Sequence, residues 1–240
     1  NCKFVKLYSV SSNVVNHAPY IYKKHFVIKD IYSDTWLEDL NKIILNEKID
    51  FIYPAHAFVI DALSEKRESI KADLMLCDNS VLNLTRSKKK TYELFKNEIP
   101  VPEVYRSIDE VKTLPVFVKP DNFYGAQDSE KIENTAYLQS FFNHKKNFIV
   151  SEYLDGDEYT IDCFSDKNEK IIFCEGRTRE RIRMGTSMHS EKVSEESDKY
   201  FLSVAQIITS KLKIVGPWFF QMKKNKSRTE DCWYDGFSQG

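Results

Sequence analysis

The sequence predicts an α/β fold, and three observations predict it. Short apolar runs alternate with amphipathic helical patterns through the first third of the chain. A run of buried-strand type ends on Lys119-Pro120. A hairpin signal, two strand-like runs joined by turn residues, follows Gly156.

In the first third, Phe4 to Tyr8, Phe26 to Ile28 and Phe51 to Pro54 read as strands separated by helical segments, the pattern of βαβ units and a parallel sheet. The helix between the second and third predicts Thr35 as its hydroxyl cap, with Glu38 reaching back. Its apolar positions Trp36, Leu37, Leu40, Ile43 and Ile44 share one face, and residues 46–48 end it. A further helix follows His56, with Leu74 to Leu76 as a short strand after it. His56 itself falls at a strand-to-helix corner, where a structural role outweighs a catalytic one.

Residues 87–97 are helical in composition, and Ile99-Pro100-Val101-Pro102 then forces an extended crossing, the strongest boundary signal in the chain. Ser107 to Glu110 reads as a capping box and residues 115–120 as a buried strand. A helix over 136–143 and a strand over 148–154 follow. The hairpin then pairs residues 157–165 with 170–175 through the turn at 166–169. Phe201, Val204, Ala205, Ile208 and Leu212 mark a helix. Ile214 to Met222 offers a strand broken by Gly216-Pro217, and after Lys226 the pattern stops.

Composition narrows the function classes. A length of 240 residues permits one large domain or two small ones, with room for a cleft. Lys and Arg number 35 against 36 Asp and Glu, so the net charge of −1 provides no general attraction to nucleic acid or to an acidic membrane surface. No apolar run approaches the roughly 20 residues that cross a bilayer. Five cysteines without a C-x-x-C pair signal neither a disulfide framework nor zinc, and a reducing cytoplasm is the expected location. Cys163 and Cys174 fall on hairpin partners and read as small core residues.

The candidate chemistry lies at strand ends. Lys119 emerges where a buried strand opens into a loop, and a lysine there either meets phosphate or snorkels to solvent. In residues 149–160 one carboxylate, Glu152, ends a buried strand. A glycine turn follows, and Glu158 enters the next strand. Exposed backbone groups at such an end suit an adenine edge and a nearby Glu suits ribose hydroxyls, although a hairpin corner with solvated acids has the same pattern. Arg177, Arg179, Arg181 and Arg183 alternate, so on one strand all four share a face. Guanidinium forks there suit a carboxylate or an acyl-phosphate, the competing reading being a solvated basic strand. No aromatic ladder accompanies them, which argues against nucleic acid.

Taken in order, Lys88, Lys119-Pro120 and Glu152-Tyr153-Leu154-Asp155-Gly156-Asp157-Glu158 resemble the ATP-grasp superfamily, nearest the large chain of carbamoyl-phosphate synthase and related carboxylate-amine ligases. The resemblance implies a partial Rossmann-like domain over residues 1–84 and an ATP-grasp domain over 85–240. The latter has a small lobe at about 106–154 and a large lobe at about 155–240. It implies ATP and Mg2+ as cofactors, with Lys88 on the phosphates and Lys119 near the α-phosphate and adenine N7. Glu152 takes the adenine amino group, Tyr153 and Leu154 form the hinge through their backbones, and Glu158 takes the ribose. Arg181 and Arg183 face the anionic substrate, followed by Gly185 and Thr186. Gln221 is the first metal ligand.

Two departures accompany the resemblance. The loop over 121–129, where relatives carry several phosphate-covering glycines, has only Gly125, leaving Phe123 and Tyr124 to cover the cleft. The E-x-N pair and the apolar strand that would complete the metal site are absent after Lys226, with Glu230 or Asp231 as weak substitutes, and both ends read as cut. The expected activity is therefore ATP-driven activation of a small carboxylate for an amine or other nucleophile, with a second chain or a homodimer completing the site. The alternative is a nucleotide-binding module without turnover. A plain dinucleotide-binding fold is disfavoured, since no G-x-G-x-x-G follows a strand.

Overall fold

The computed structural model describes residues 4–13, 18–122, 128–144, 146–183, 186–226 and 232–239; at 18, 19, 186 and 232–239 it describes the backbone alone. The chain divides into two compact units, Asn1–Met75 and Leu76–Gly240.

In the first unit β1 (Tyr8–Ser11), α1 (Ala18–Ile21) and β2 (Lys24–Val27) precede α2 (Trp36–Glu47), and β3 (Phe51–Ile52), α3 (Ala57–Glu65) and β4 (Asp73–Leu74) follow. β1 pairs with β2 and β3 with β4, both in parallel, as the alternating pattern predicts. Trp36, Leu40 and Ile44 form the buried stripe of α2, and Lys48 closes the helix in the left-handed region at φ 54°. The cap differs from expectation: the Thr35 side chain makes no capping hydrogen bond, its backbone being already αR at φ −106°, ψ 0°. His56 is structural, its Nδ1 accepting from the Phe58 amide at 3.3 Å as the N-cap of α3.

The second unit opens with α4 (Asn79–Thr85) and α5 (Lys88–Phe95). Its first sheet is formed by β5 (Val104–Tyr105), β6 (Val116–Pro120), β7 (Glu130–Ile132) and, after α6 (Thr135–His144), β8 (Phe148–Glu152). The order is β5-β8-β6-β7, antiparallel throughout. One face packs with Leu138 and Phe141 of α6 into a core containing Tyr105, Val116, Val118, Ile132 and Val150. By strand alternation the other face carries Phe117, Lys119, Lys131, Ile149 and Ser151.

A larger antiparallel sheet follows, built from β9 (Glu158–Ser165), β10 (Ile171–Thr178) and, beyond a separate two-stranded ribbon of β11 (Arg181–Arg183) and β12 (Thr186–His189) and the helix α7 (Glu195–Lys211), β13 (Gly216–Lys224) and β14 (Cys232–Gln239). The order is β10-β9-β13-β14. Tyr159, Ile161, Phe220 and Met222 share one buried face, which α7 covers: the Phe201 ring lies 5.5 Å from that of Tyr159 and fills the space a Cβ on Gly176 would need. In the same layer the buried indole of Trp218 donates to Ser165 Oγ at 2.9 Å.

Two expectations are corrected here. Gly216-Pro217 does not break β13, because Gly216 starts the strand at φ 86°, a conformation open to glycine. The segment after Lys226 does carry a strand: β14 pairs with β13 from Trp218↔Gln239 to Lys224↔Cys232. Cross-strand pairing there supplies what local pattern lacked.

Candidate functional site

The larger sheet turns a polar face away from α7. Register places Glu158, Thr160 and Asp162 of β9 beside Lys223, Gln221 and Phe219 of β13, with Arg177 and Glu175 of β10 on the other flank. Two arginine–carboxylate pairs lie on this face. Arg177 Nε meets Asp162 Oδ2 at 2.7 Å, and Arg179 Nε meets Glu158 Oε1 at 2.7 Å, the two side chains being 8% and 21% exposed. Arg179 also donates to Thr160 Oγ1 at 3.2 Å, which ties Glu158 and Thr160 into one cluster.

This polar face meets the Phe117–Lys119 face of the smaller sheet at Tyr153. Its ring lies 6.3 Å from Phe117, with Lys131 Nζ 4.9 Å and Lys223 Nζ 5.8 Å from its centroid. Lys131 is ion-paired with Glu133, and that hydrogen bond raises it above the usual lysine range. The chain crosses between sheets at Asp155-Gly156-Asp157, stitched to the end of β13. The Gly156 amide donates to Lys224 O at 3.0 Å, the Lys224 amide to Asp157 O at 2.9 Å, and the Lys226 amide to Asp155 Oδ1 at 2.8 Å. A side chain at Gly156 would fall 2.7 Å from Lys224 O, so the close approach requires glycine.

Lys88 and Lys119 come together at the far end of the smaller sheet. Lys119 is 5% exposed, its Nζ 5.4 Å from the Tyr92 ring of α5. Lys88 begins α5, and its Nζ lies 3.4 Å from Asp121 O, just past the end of β6. Ser87 caps this helix, accepting from the Lys90 amide and donating to Asp121 Oδ2 at 2.9 Å, while Asp121 Oδ1 accepts from the Lys89 amide at 2.9 Å.

Glu152 does not join them. It pairs with Val116, three residues from Lys119, and so projects from the opposite face; Ser151 takes the Lys119 side. The Glu152 carboxylate accepts from the Glu103 amide at 2.9 Å and from Asn225 Nδ2 at 3.4 Å. With Tyr153 it lines a cavity of about 660 Å³ beside the hinge, walled also by Tyr105, Pro115 and Lys131. Leu154 is buried immediately after.

The arginine run divides rather than forming one strand face. β10 ends at Thr178, where β9 begins its ladder, so Arg177 and Arg179 stay with the large sheet while Arg181 and Arg183 stand exposed on the β11–β12 ribbon. Thr160, Asp162 and Lys223 lie on this polar face although the sequence alone did not single them out, the spacing Glu158-x-Thr160-x-Asp162 being the signal; Arg179, expected only as one of four alternating arginines, pairs with Glu158. Gly125, Phe123, Tyr124, Gly185, Glu230 and Asp231 lie outside the described residues.

A magnesium ion bound by protein takes one or two carboxylates alongside phosphate oxygens. On the polar face Gln221 offers a neutral oxygen, but the strand carboxylates there are ion-paired, Glu158 and Asp162 with arginine and Glu175 with Lys192. The side chains described on this face therefore do not make up a magnesium site. Among the described residues, the side chains that do gather at metal-ligand distances, Glu180, His189 and Glu191, are exposed beside the ribbon.

Comparison with known families decides the assignment, since the ATP-grasp domain family matches residues 85–216, more than half of the chain. This chain belongs to the ATP-grasp family. No curated protein sequence matches it. Solved structures share the ATP-grasp fold at low identity. The biotin carboxylase domain of Hydrogenobacter thermophilus 2-oxoglutarate carboxylase, in complex with MgADP, ADP and bicarbonate, superposes with a TM-score of 0.74 at 12% identity over 98% of this chain. Campylobacter jejuni biotin carboxylase in its βγ-ATP complex gives 0.74 at 14% over 96%. Staphylococcus aureus N5-carboxyaminoimidazole synthetase complexed with ADP gives 0.70 at 15% over 97%. The ATP-grasp chain spans 58%, 58% and 63% of those structures respectively.

Proposed function

We propose that this ATP-grasp chain binds ATP between the two sheets of its second unit, as part of an enzyme that activates a carboxylate as an acyl-phosphate for transfer to an amine or other nucleophile. The observation that carries the reading is the meeting of the two sheet faces at Tyr153, with Lys119 and Lys88 at the opposite end. Along the strands, the three residues from Val116 to Lys119 span roughly 10 Å, a length that a nucleoside with its first phosphate covers.

In this reading the backbone of Tyr153 and Leu154 receives the adenine edge, with Phe117 and Tyr153 on its faces. Glu158, held by Arg179, accepts from the ribose hydroxyls. Lys119 and Lys88 take the phosphates, Lys88 exchanging the Asp121 carbonyl for a phosphate oxygen. The Glu152 carboxylate fixes the hinge by holding Glu103 and Asn225. Arg181 and Arg183, exposed on their ribbon, meet the anionic substrate. Bicarbonate, present in the 2-oxoglutarate carboxylase domain complex, is a first carboxylate to assay.

A second reading, nucleotide binding without turnover, is favoured by the arginine-paired acids that leave Gln221 without a carboxylate partner among the described residues. Calorimetric titration with ATP, followed by an ADP-release assay with bicarbonate and small carboxylates, separates the two. Binding with carboxylate-dependent ADP release supports the ligase; binding without release supports the second reading; no binding by the folded chain removes both. Lys119→Met is expected to weaken ATP binding by about 1.5–3 kcal/mol, the range of a hydrogen bond to a charged group, and an unchanged titration would remove Lys119 from the site.

A further inference from the structure

Cys163 of β9 and Cys174 of β10 stand directly opposite each other in the antiparallel ladder, with sulfurs 3.7 Å apart. Opposed Cα atoms in such a ladder are about 4.5 or 5.5 Å apart, and both values lie inside the roughly 4.4–6.8 Å that a disulfide spans. Rotation of the side chains is therefore enough to bring the sulfurs to bonding distance. The two residues differ in exposure: Cys163 is 4% exposed, whereas Cys174, on the edge strand of the sheet, is partly exposed.

We propose that Cys163 and Cys174 form a peroxide-reactive dithiol, with Cys174 the attacking sulfur and Cys163 the resolving one. The Cys163 S–H donates to the Cys174 sulfur. That bond lowers the Cys174 thiol below its ordinary value, against burial and the carboxylates of Asp198 and Glu175, and raises Cys163.

In the first step the Cys174 thiol gives up its proton and its sulfur attacks hydrogen peroxide. An S–O bond forms, the O–O bond breaks, and the departing hydroxide takes a proton to become water. Cys174 is oxidised to a sulfenic acid and the peroxide is reduced. Cys163 then loses its proton and attacks the Cys174 sulfur. The S–S bond forms, the S–O bond breaks, and hydroxide leaves with that proton as a second water. Two thiols and one peroxide thus become one disulfide and two waters.

Residues Lys167 and Lys170 lie between the two cysteines, so trypsin separates them unless they are bonded. The folded chain is treated with hydrogen peroxide, alkylated with iodoacetamide and digested for mass spectrometry without reductant. The expected result is a linked peptide joining Cys163 to Cys174, lighter by two hydrogens than the sum of its parts and released by dithiothreitol. In Cys163→Ser the resolving sulfur is gone, and Cys174 is expected to accumulate as a dimedone adduct. In Cys174→Ser, Cys163 is expected to stay an alkylatable thiol. The proposal is overturned if both cysteines of the wild-type chain remain alkylatable at a peroxide dose that oxidises buried Cys77, or if Cys163 takes dimedone equally well without Cys174. Should either variant fail to fold, the wild-type linked peptide decides alone.

Discussion

Arg179 and Glu158 hold each other in a nearly dry position, and the energetics of that pair set what substitutions there should do. Removing one partner of a fully buried pair costs about 3–5 kcal/mol because the remaining charge is stranded. Here Glu158 keeps 21% of its side chain exposed, so Arg179→Ala is expected to cost less, about 1–3 kcal/mol. Urea unfolding checks this, and an unchanged midpoint would show the pair contributes nothing. At the hinge the effect is steric. Gly156→Ala drives a methyl to within 2.7 Å of Lys224 O, and overpacking of this kind costs roughly 1–3 kcal/mol. A melting temperature equal to that of the parent chain would contradict the stitching of hinge to β13.

Among the elements, α5 is the one whose ends matter most to the proposed chemistry. Ser87 caps it, anchors Asp121 and thereby fixes where Lys88 begins. Ser87→Ala is expected to lose about 1 kcal/mol of stability and to weaken ATP binding as well, whereas Ser87→Thr should restore both; calorimetry alongside unfolding reads the two effects separately. This helix was legible from composition, and so were the hairpin, α7 and the strand ending on Lys119, because their apolar periods are local. What could not be read locally was register. Glu152 shares a segment with Tyr153 and Leu154, yet its face is fixed by pairing with Val116 on a strand over thirty residues earlier. The four arginines alternate in the sequence, but β10 ends at Thr178 and Arg181 and Arg183 pair with β12 instead, so the alternation does not become one strand face. β14, with only scattered aromatics, becomes a strand because β13 offers it an edge.

For the whole molecule, the proposal makes stability depend on nucleotide. A ligand at 100 times its dissociation constant that binds only the folded chain adds about 2.7 kcal/mol. Excess ATP should therefore raise the unfolding midpoint of the parent chain and leave that of Lys119→Met much less changed; equal shifts in both would place the nucleotide elsewhere. The architecture also provides a means of watching such transitions. Trp36 is buried in Asn1–Met75 and Trp218, hydrogen-bonded to Ser165, in Leu76–Gly240. Trp36 is the one tryptophan of the first unit, whereas Trp218 and Trp233 both belong to the second, so replacing Trp36 with phenylalanine would leave an emission spectrum that reports the melting of the second unit alone, and replacing Trp218 and Trp233 together would leave one that reports the first.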